Sequence, residues 1–184
     1  MADYALSSGS FIRPFRSPWG AFPSRDIRPI STATINLGQL VGLNYTGSTS
    51  AGQIIPILAA TANHFNLVGV AASSFTFASS ATLPANMTVW DANPNCEFQA
   101  RTQGGLLASS NVGLRRKMMY DSTLTIHYID LSASTATDWR VVITGLIDAE
   151  GDSGGWVSFR FLSHTAEQIN SSIPSTSPLL AFYS

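Results

Sequence analysis

Ser153 sits among glycines in Gly151-Asp152-Ser153-Gly154-Gly155. That arrangement lets a backbone curl so that two N–H groups face a developing oxyanion while the serine attacks. Such a serine needs a histidine as base and an aspartate to orient it. His64, in the run Thr61-Ala62-Asn63-His64-Phe65, with Asp121 or Asp130, supplies one formal set. The spacing opposes it. Only 31 residues follow Ser153, and their last part is too polar and proline-broken to build a specificity pocket. Asp121 and Ser153 are also close in sequence for groups on separate barrel elements. A simpler reading makes GDSGG the loop between two strand-like runs, RVVITGLI (140–147) and WVSFRFL (156–162), because Asp, Ser and Gly-Gly are ordinary hairpin residues. No catalytic residue is assigned and no enzymatic activity is expected.

The other chemistry-bearing residues form no constellation. His64, His127 and His164 share no tight spacing, whereas zinc needs three or four converging ligands. His127 falls opposite the Leu124, Ile126 and Tyr128 face of its strand and is expected at the surface or an interface. Asp148, Glu150 and Asp152 alternate before Gly154, but the spacing of a calcium loop and its final Glu are missing. They read as a solvated acidic turn. Cys96 is the only cysteine, which excludes an internal disulfide and a cysteine metal site; it is expected as a small buried hydrophobe. There is no phosphate loop and no dinucleotide fingerprint. No metal or cofactor is expected.

Chemistry of another kind is concentrated in FIRPFRSPWGAFPSRDIRPI (11–30). It holds four arginines (Arg13, Arg16, Arg25, Arg28), four prolines (Pro14, Pro18, Pro23, Pro29) and four aromatics (Phe11, Phe15, Trp19, Phe22). Prolines at that density deny a helix and push their predecessors to extended backbone. Disordered tails are depleted in aromatics, so this is no ordinary tail. Arginine offers planar, bidentate hydrogen bonds to carboxylates, and Phe and Trp are common interface anchors. Fully extended, 30 residues reach about 100 Å. Residues 1–30 therefore read as an extended arm built to lie on another protein. The segment from Asn170 is polar, then apolar. Pro174 and Pro178 deny it a helix, and Leu179, Leu180, Phe182 and Tyr183 need a surface to cover them.

Charge narrows the partners. Only 11% of residues are charged and Lys117 is the single lysine. The first 30 residues carry four basic and two acidic groups (+2), and the rest six and nine (−3). Phosphate neutralisation scales with Lys and Arg, so nucleic acid is not an expected partner. Arg115-Arg116-Lys117 reads as a strand end or an inter-subunit contact. No apolar run approaches the roughly 20 residues of a membrane span, and Met1–Ser10 lacks the basic start and apolar core of a secretion signal. The glycosylation-like sites at Asn44, Asn86 and Asn170 are then incidental.

The elements that would position these groups are strands. Short runs recur at roughly 8–12-residue spacing with Gly, Ser, Asn and Asp between them, the signature of a sandwich or barrel. They cover 32–37, 39–46, 53–59 (with Pro56 suggesting an edge or bulge), 66–71, 74–78, 87–90, 97–102, 112–120, 123–129, 140–147 and 156–162. In the last, Trp156, Ser158, Arg160 and Leu162 share one face, and Val157, Phe159 and Phe161 the other. One helical turn is expected at 165–169, capped by Ser163. The expected fold is an all-β, small antiparallel barrel or sandwich (31–169) with an extended N-terminal arm (1–30) and an extended C-terminal tail (170–184).

Three segments resemble the small decoration, or cement, proteins of tailed-bacteriophage capsids: the glycine-spaced and apolar strands leading into NLVGVAASS (66–74); VWDANPNCEFQA (89–100), with its acidic residue, polar loop and aromatic strand; and RVVITGLIDAEGDSGGWVSFRFLSH (140–164). The resemblance implies a non-enzymatic virion protein on the capsid exterior, made in the host cytoplasm, that binds across subunits of the major capsid protein as a homo-oligomer, trimer before dimer. It fixes no functional residue. The interface residues Phe11, Arg13, Phe15, Arg16, Trp19, Phe22, Arg25, Arg28, Leu179, Leu180, Phe182 and Tyr183 follow from the chemistry of the two chain ends. The alternatives are a small-virus coat protein that forms the shell itself and a chymotrypsin-like serine hydrolase using GDSGG.

Overall fold

Alternation decides the strongest strands. In Glu97–Gln103, Phe98, Ala100 and Thr102 are buried completely; in Trp156–Phe161, Val157, Phe159 and Phe161 are buried and Arg160 is exposed. The computed structural model describes residues 2, 5–7, 9–30, 33–44, 53–58, 67–76, 86–132 and 141–162. Among these the protein is all β. Its strands are β1 (Arg13–Arg16), β2 (Ser24–Ile27), β3 (Thr34–Ile35), β4 (Leu40–Leu43), β5 (Ile54–Pro56), β6 (Leu67–Ala71), β7 (Phe75–Thr76), β8 (Met87–Asp91), β9 (Glu97–Gln103), β10 (Arg115–Asp121), β11 (Ile126–Asp130), β12 (Val141–Leu146) and β13 (Trp156–Phe161). The helical turn expected at 165–169 and the tail 170–184 lie outside the described residues.

Two sheets carry the fold, and each closes on itself. One runs β1-β9-β11-β10-β12-β13, and β13 pairs back onto β9. β9 therefore has β13 on one edge, and β1 followed by β11 on the other. The β9–β11 contact is parallel, at Thr102 and Gln103; the other pairings of this sheet are antiparallel. The second sheet runs β2-β8-β6-β4-β5. Its ends meet where the chain leaving β2 touches β5: Ile54 N–H donates to Arg28 C=O (2.9 Å) and Ile30 N–H to Ile54 C=O (3.1 Å). β3 and β7 form a short separate pair.

The inner faces make two apolar clusters. The larger combines Phe98, Ala100, Met118, Ile129, Val141, Ile143, Val157, Phe159 and Phe161 of the first sheet with Leu40, Leu67 and Val70 of the second. Phe98, Phe159 and Phe161 pack ring to ring at centroid distances of 5.2–5.9 Å, within the range that favours aromatic pairs. The smaller cluster lies on the other face of the second sheet, around Val41, Ile54, Ala71, Met87 and Val89. Cys96 is fully buried, as its lone occurrence suggested, and burial pushes its thiol pKa up.

His127 departs from expectation. It is 2% exposed and sits at the seam of the two sheets. Its Nε2 lies 2.8 Å from Ile57 C=O, and its Nδ1 accepts from Leu40 N–H at 3.4 Å. A polar ring whose nitrogens meet backbone groups is an ordinary core residue. Pattern alone placed it outside because it scores histidine as polar.

Residues 1–30 also differ from the expected division. Two of their described segments, β1 and β2, are extended strands, but residue 30 marks no structural boundary. β1 pairs β9 and β2 pairs β8. Ile12 is fully buried in the larger cluster, and Phe22 packs its edge on Phe98 at 4.9 Å. The backbone at Ile12 also passes over Gly38, where a Cβ would lie 2.7 Å from Ile12 C=O. The arm is part of the domain's own fabric.

Candidate functional site

The loop carrying GDSGG joins β12 to β13, which pair antiparallel. Its carboxylates and two of its backbone donors are spent inside the fold. The two backbone donors that a nucleophile loop would aim at an oxyanion are both occupied: Gly151 N–H donates to Leu107 C=O (2.7 Å) and Ser153 N–H to Ala2 C=O (2.9 Å). Asp152 is buried and accepts from Ala2 N–H, so the acidic turn is not wholly solvated. Asp148 Oδ2 accepts from Trp156 N–H and Arg101. Glu150 accepts from Ser109 N–H, and hydrogen bonds from Ser109 hold its carboxyl below the usual range. The three carboxylates share no donor and converge on no common point. Asp121 and Asp130 each close their own turn, on Thr123 and Leu124 and on Ser132 respectively. His64 lies outside the described residues. No cluster of metal-ligating side chains occurs among the described residues, and no helix there is long and apolar enough to cross a membrane.

A more coherent set of side chains stands on the outward face of β1, β9 and β13. Glu97, Gln99 and Arg101 alternate outward along β9; Trp156, Ser158 and Arg160 do so along β13. β1 joins them through a bulge. Arg13 pairs with Gln99 and Pro14 with Phe98, and after the irregularity Arg16 pairs with Glu97. Regular alternation would put residues three apart on opposite faces. The extra residue, Phe15, instead brings Arg13 and Arg16 to the same face, a re-aiming that bulges commonly perform.

The face is arginine-rich and aromatic. Arg13 lies over the Trp156 ring at 4.5 Å and Arg101 at 5.1 Å. Arg16 lies over Phe15 at 4.8 Å. Such stacking is worth about 0.5–1 kcal/mol at exposed sites and holds the guanidiniums extended. Arg160 pairs with Glu97 at 2.9 Å, and Arg101 with Asp148 at 3.4 Å. Arg13 and Arg16 have no carboxylate partner among the described residues.

From β1 the chain turns toward β2 through Ser17–Ala21. Gly20 adopts φ +78 there, Ser17 Oγ donates to Ala21 C=O (2.6 Å), and Trp19 projects at the tip. Trp19 is 59% exposed and Phe15 38%.

The expected interface residues thus divide. Arg13, Phe15 and Arg16 stand exposed on β1, and Trp19 stands exposed in the turn that follows it. Arg25 is exposed but pairs with Asp91 across the β2–β8 strands. Phe22 is half-buried on the core, Arg28 is half-buried where the second sheet closes, and Phe11 lines a hollow of about 300 Å³ with Asn36, Leu37, Ser74, Leu124, Thr125 and Ile126. Leu179, Leu180, Phe182 and Tyr183 lie outside the described residues. Sequence reasoning did not assign Trp156, Arg101 and Arg160 to the site. The alternation of EFQARTQ and WVSFRF was the available signal, since it gives each of them an outward position. Comparison with protein-family models, with curated proteins and with solved structures returns no match to this chain.

Proposed function

We propose that this chain is a virion structural protein, a decoration protein that binds across subunits of the major capsid protein on the exterior of a phage head. It acts as a homo-oligomer, with a trimer preferred, and without catalysis, nucleic acid or membrane. The observation that carries this reading is the region at β1: two large aromatics stand in solvent beside two arginines with no carboxylate partner among the described residues. Trp and Arg are the residue types most enriched where protein interfaces concentrate their binding energy. The bulge and the packed β1–β9 pairing fix their direction. An anchor set held in place loses less conformational freedom on docking than a loose tail does.

The test is co-sedimentation of the purified protein with capsid shells that lack it. Trp19→Ala and Phe15→Ala should each weaken attachment at least tenfold, while Arg115→Ala, on the far strand β10, should leave it unchanged. The opposite ranking would move the interface away from β1.

A further inference from the structure

The outward face of β1, β9 and β13 carries four guanidiniums, two of which pair with carboxylates, one on β9 and one in the β12–β13 loop. Arg160 is matched by Glu97 and Arg101 by Asp148. The remaining pair, Arg13 and Arg16, leaves the face at 4 − 2 = +2, on a chain whose net charge is −1. The two are aligned by register: their β9 partners, Gln99 and Glu97, are two residues apart on one face. That spacing is about 7 Å along an extended strand. An extended peptide with acidic residues at i and i+2 presents its carboxylates on one side at the same interval. Arginine's planar fork donates to such groups in bidentate geometry.

We infer that Arg13 and Arg16 form a recognition site for an extended acidic segment of a protein partner, with carboxylates two residues apart. The inference rests on reading this face as a protein-docking surface and names what docks there. Recognition goes through side chains: Pro14 and the bulge at Phe15 blunt the open edge of β1 against backbone pairing. Trp156 and Phe15 stack on the two guanidiniums, which limits the freedom they lose on docking. A nucleic-acid strand fits less well. On this face only two guanidiniums lack carboxylate partners among the described residues, and the whole chain has a single lysine and a net charge of −1, whereas nucleic-acid surfaces are extended basic stripes.

The experiment is fluorescence anisotropy with the full chain at low salt. The probes are a labelled Thr-Glu-Thr-Glu-Thr peptide, its Gln isostere, a Thr-Glu-Glu-Thr-Thr peptide of equal charge, and a ten-nucleotide oligothymidylate. The alternating peptide should bind at least tenfold tighter than the Gln isostere and several-fold tighter than the adjacent-acid peptide. Arg13→Gln and Arg16→Gln should each weaken it about tenfold, and Arg115→Gln should not. Absence of binding, equal binding by the Arg13 and Arg16 variants, or tighter binding of oligothymidylate through the same arginines would overturn the inference. Two further outcomes separate it from the capsid reading. Shell attachment lost with Trp19→Ala but untouched by Arg13→Gln and Arg16→Gln defeats the acidic partner and leaves the docking face. Peptide binding by a protein that ignores shells defeats the capsid reading and leaves the site.

Discussion

Ile12→Ala tests whether residues 1–30 are an appendage or part of the fold. Ile12 is completely buried, in the same cluster as Phe98, Val157 and Phe159. Truncating a fully buried isoleucine removes its transfer free energy and leaves a cavity, together about 2–5 kcal/mol. A domain of this size has on the order of 5–15 kcal/mol in total. With a urea slope near 2 kcal/mol/M, the midpoint should fall by about 1–2.5 M at unchanged slope. Trp19→Ala, at the exposed tip a few residues away, should shift stability by no more than about 0.5 kcal/mol. Deleting residues 1–30 goes further. It removes β1, β2, Ile12, Phe22 and the Arg28–Ile30 backbone that closes the second sheet on Ile54. The truncated chain should lose its cooperative transition. Tryptophan fluorescence and far-UV circular dichroism across a urea series measure all three. An Ile12→Ala midpoint within about 0.3 M of wild type, or a cooperative truncated domain, would refute the placement of these residues in the core.

The remaining predictions concern single positions. Gly38→Ala should destabilise by about 1–3 kcal/mol, because φ +75 strains an L-residue and the new methyl meets the backbone of Ile12; thermal unfolding reads it, and an unchanged melt would contradict the close passage of the arm. His127→Phe keeps the ring volume but leaves Ile57 C=O and Leu40 N–H without their histidine partner, at about 1–3 kcal/mol for each buried group; a wild-type melting temperature would show that the seam does not depend on those bonds. Cys96 should resist a thiol reagent at pH 8 in the folded protein and react at once in denaturant. Its folded pKa is raised by burial, so the stability it contributes is present below the unfolded thiol pKa, near 8.5, and is lost as pH rises through that value and the higher folded one. Rapid native labelling would contradict its burial.

How much was legible follows from what each pattern encodes. Period-two alternation encodes two faces, and in β9 and β13 the apolar face became the core because both sheets needed it covered. Those strands, the hairpin through GDSGG and the burial of Cys96 could be read directly. His127 could not, because its partners, Ile57 and Leu40, come from another sheet and no local pattern announces them. The arm was legible as extended, since proline spacing is a local property. Where it lies was not: β1 meets β9 across more than 80 residues, and composition does not say which surface an apolar anchor will find. Nor does it reveal the bulge at Phe15, which decides that Arg13 and Arg16 point the same way.

Weaving the first thirty residues into both sheets changes what they would do at a capsid. A free arm would reach about 100 Å but would have to be ordered on arrival, at roughly 1–2 kcal/mol per residue. Here β1 and β2 are ordered before any partner arrives, and the span available to Trp19 is the width of a short turn. Under the proposed capsid function such a staple would act locally: Phe15, Trp19 and the two arginines would engage one site, and bridging between capsid subunits would have to come from several copies of the chain presenting that site together. Multivalent attachment of this sort multiplies weak contacts through effective concentration. It explains why a small anchor set would suffice, and why oligomerisation and shell binding should be lost together when the copies are separated by dilution.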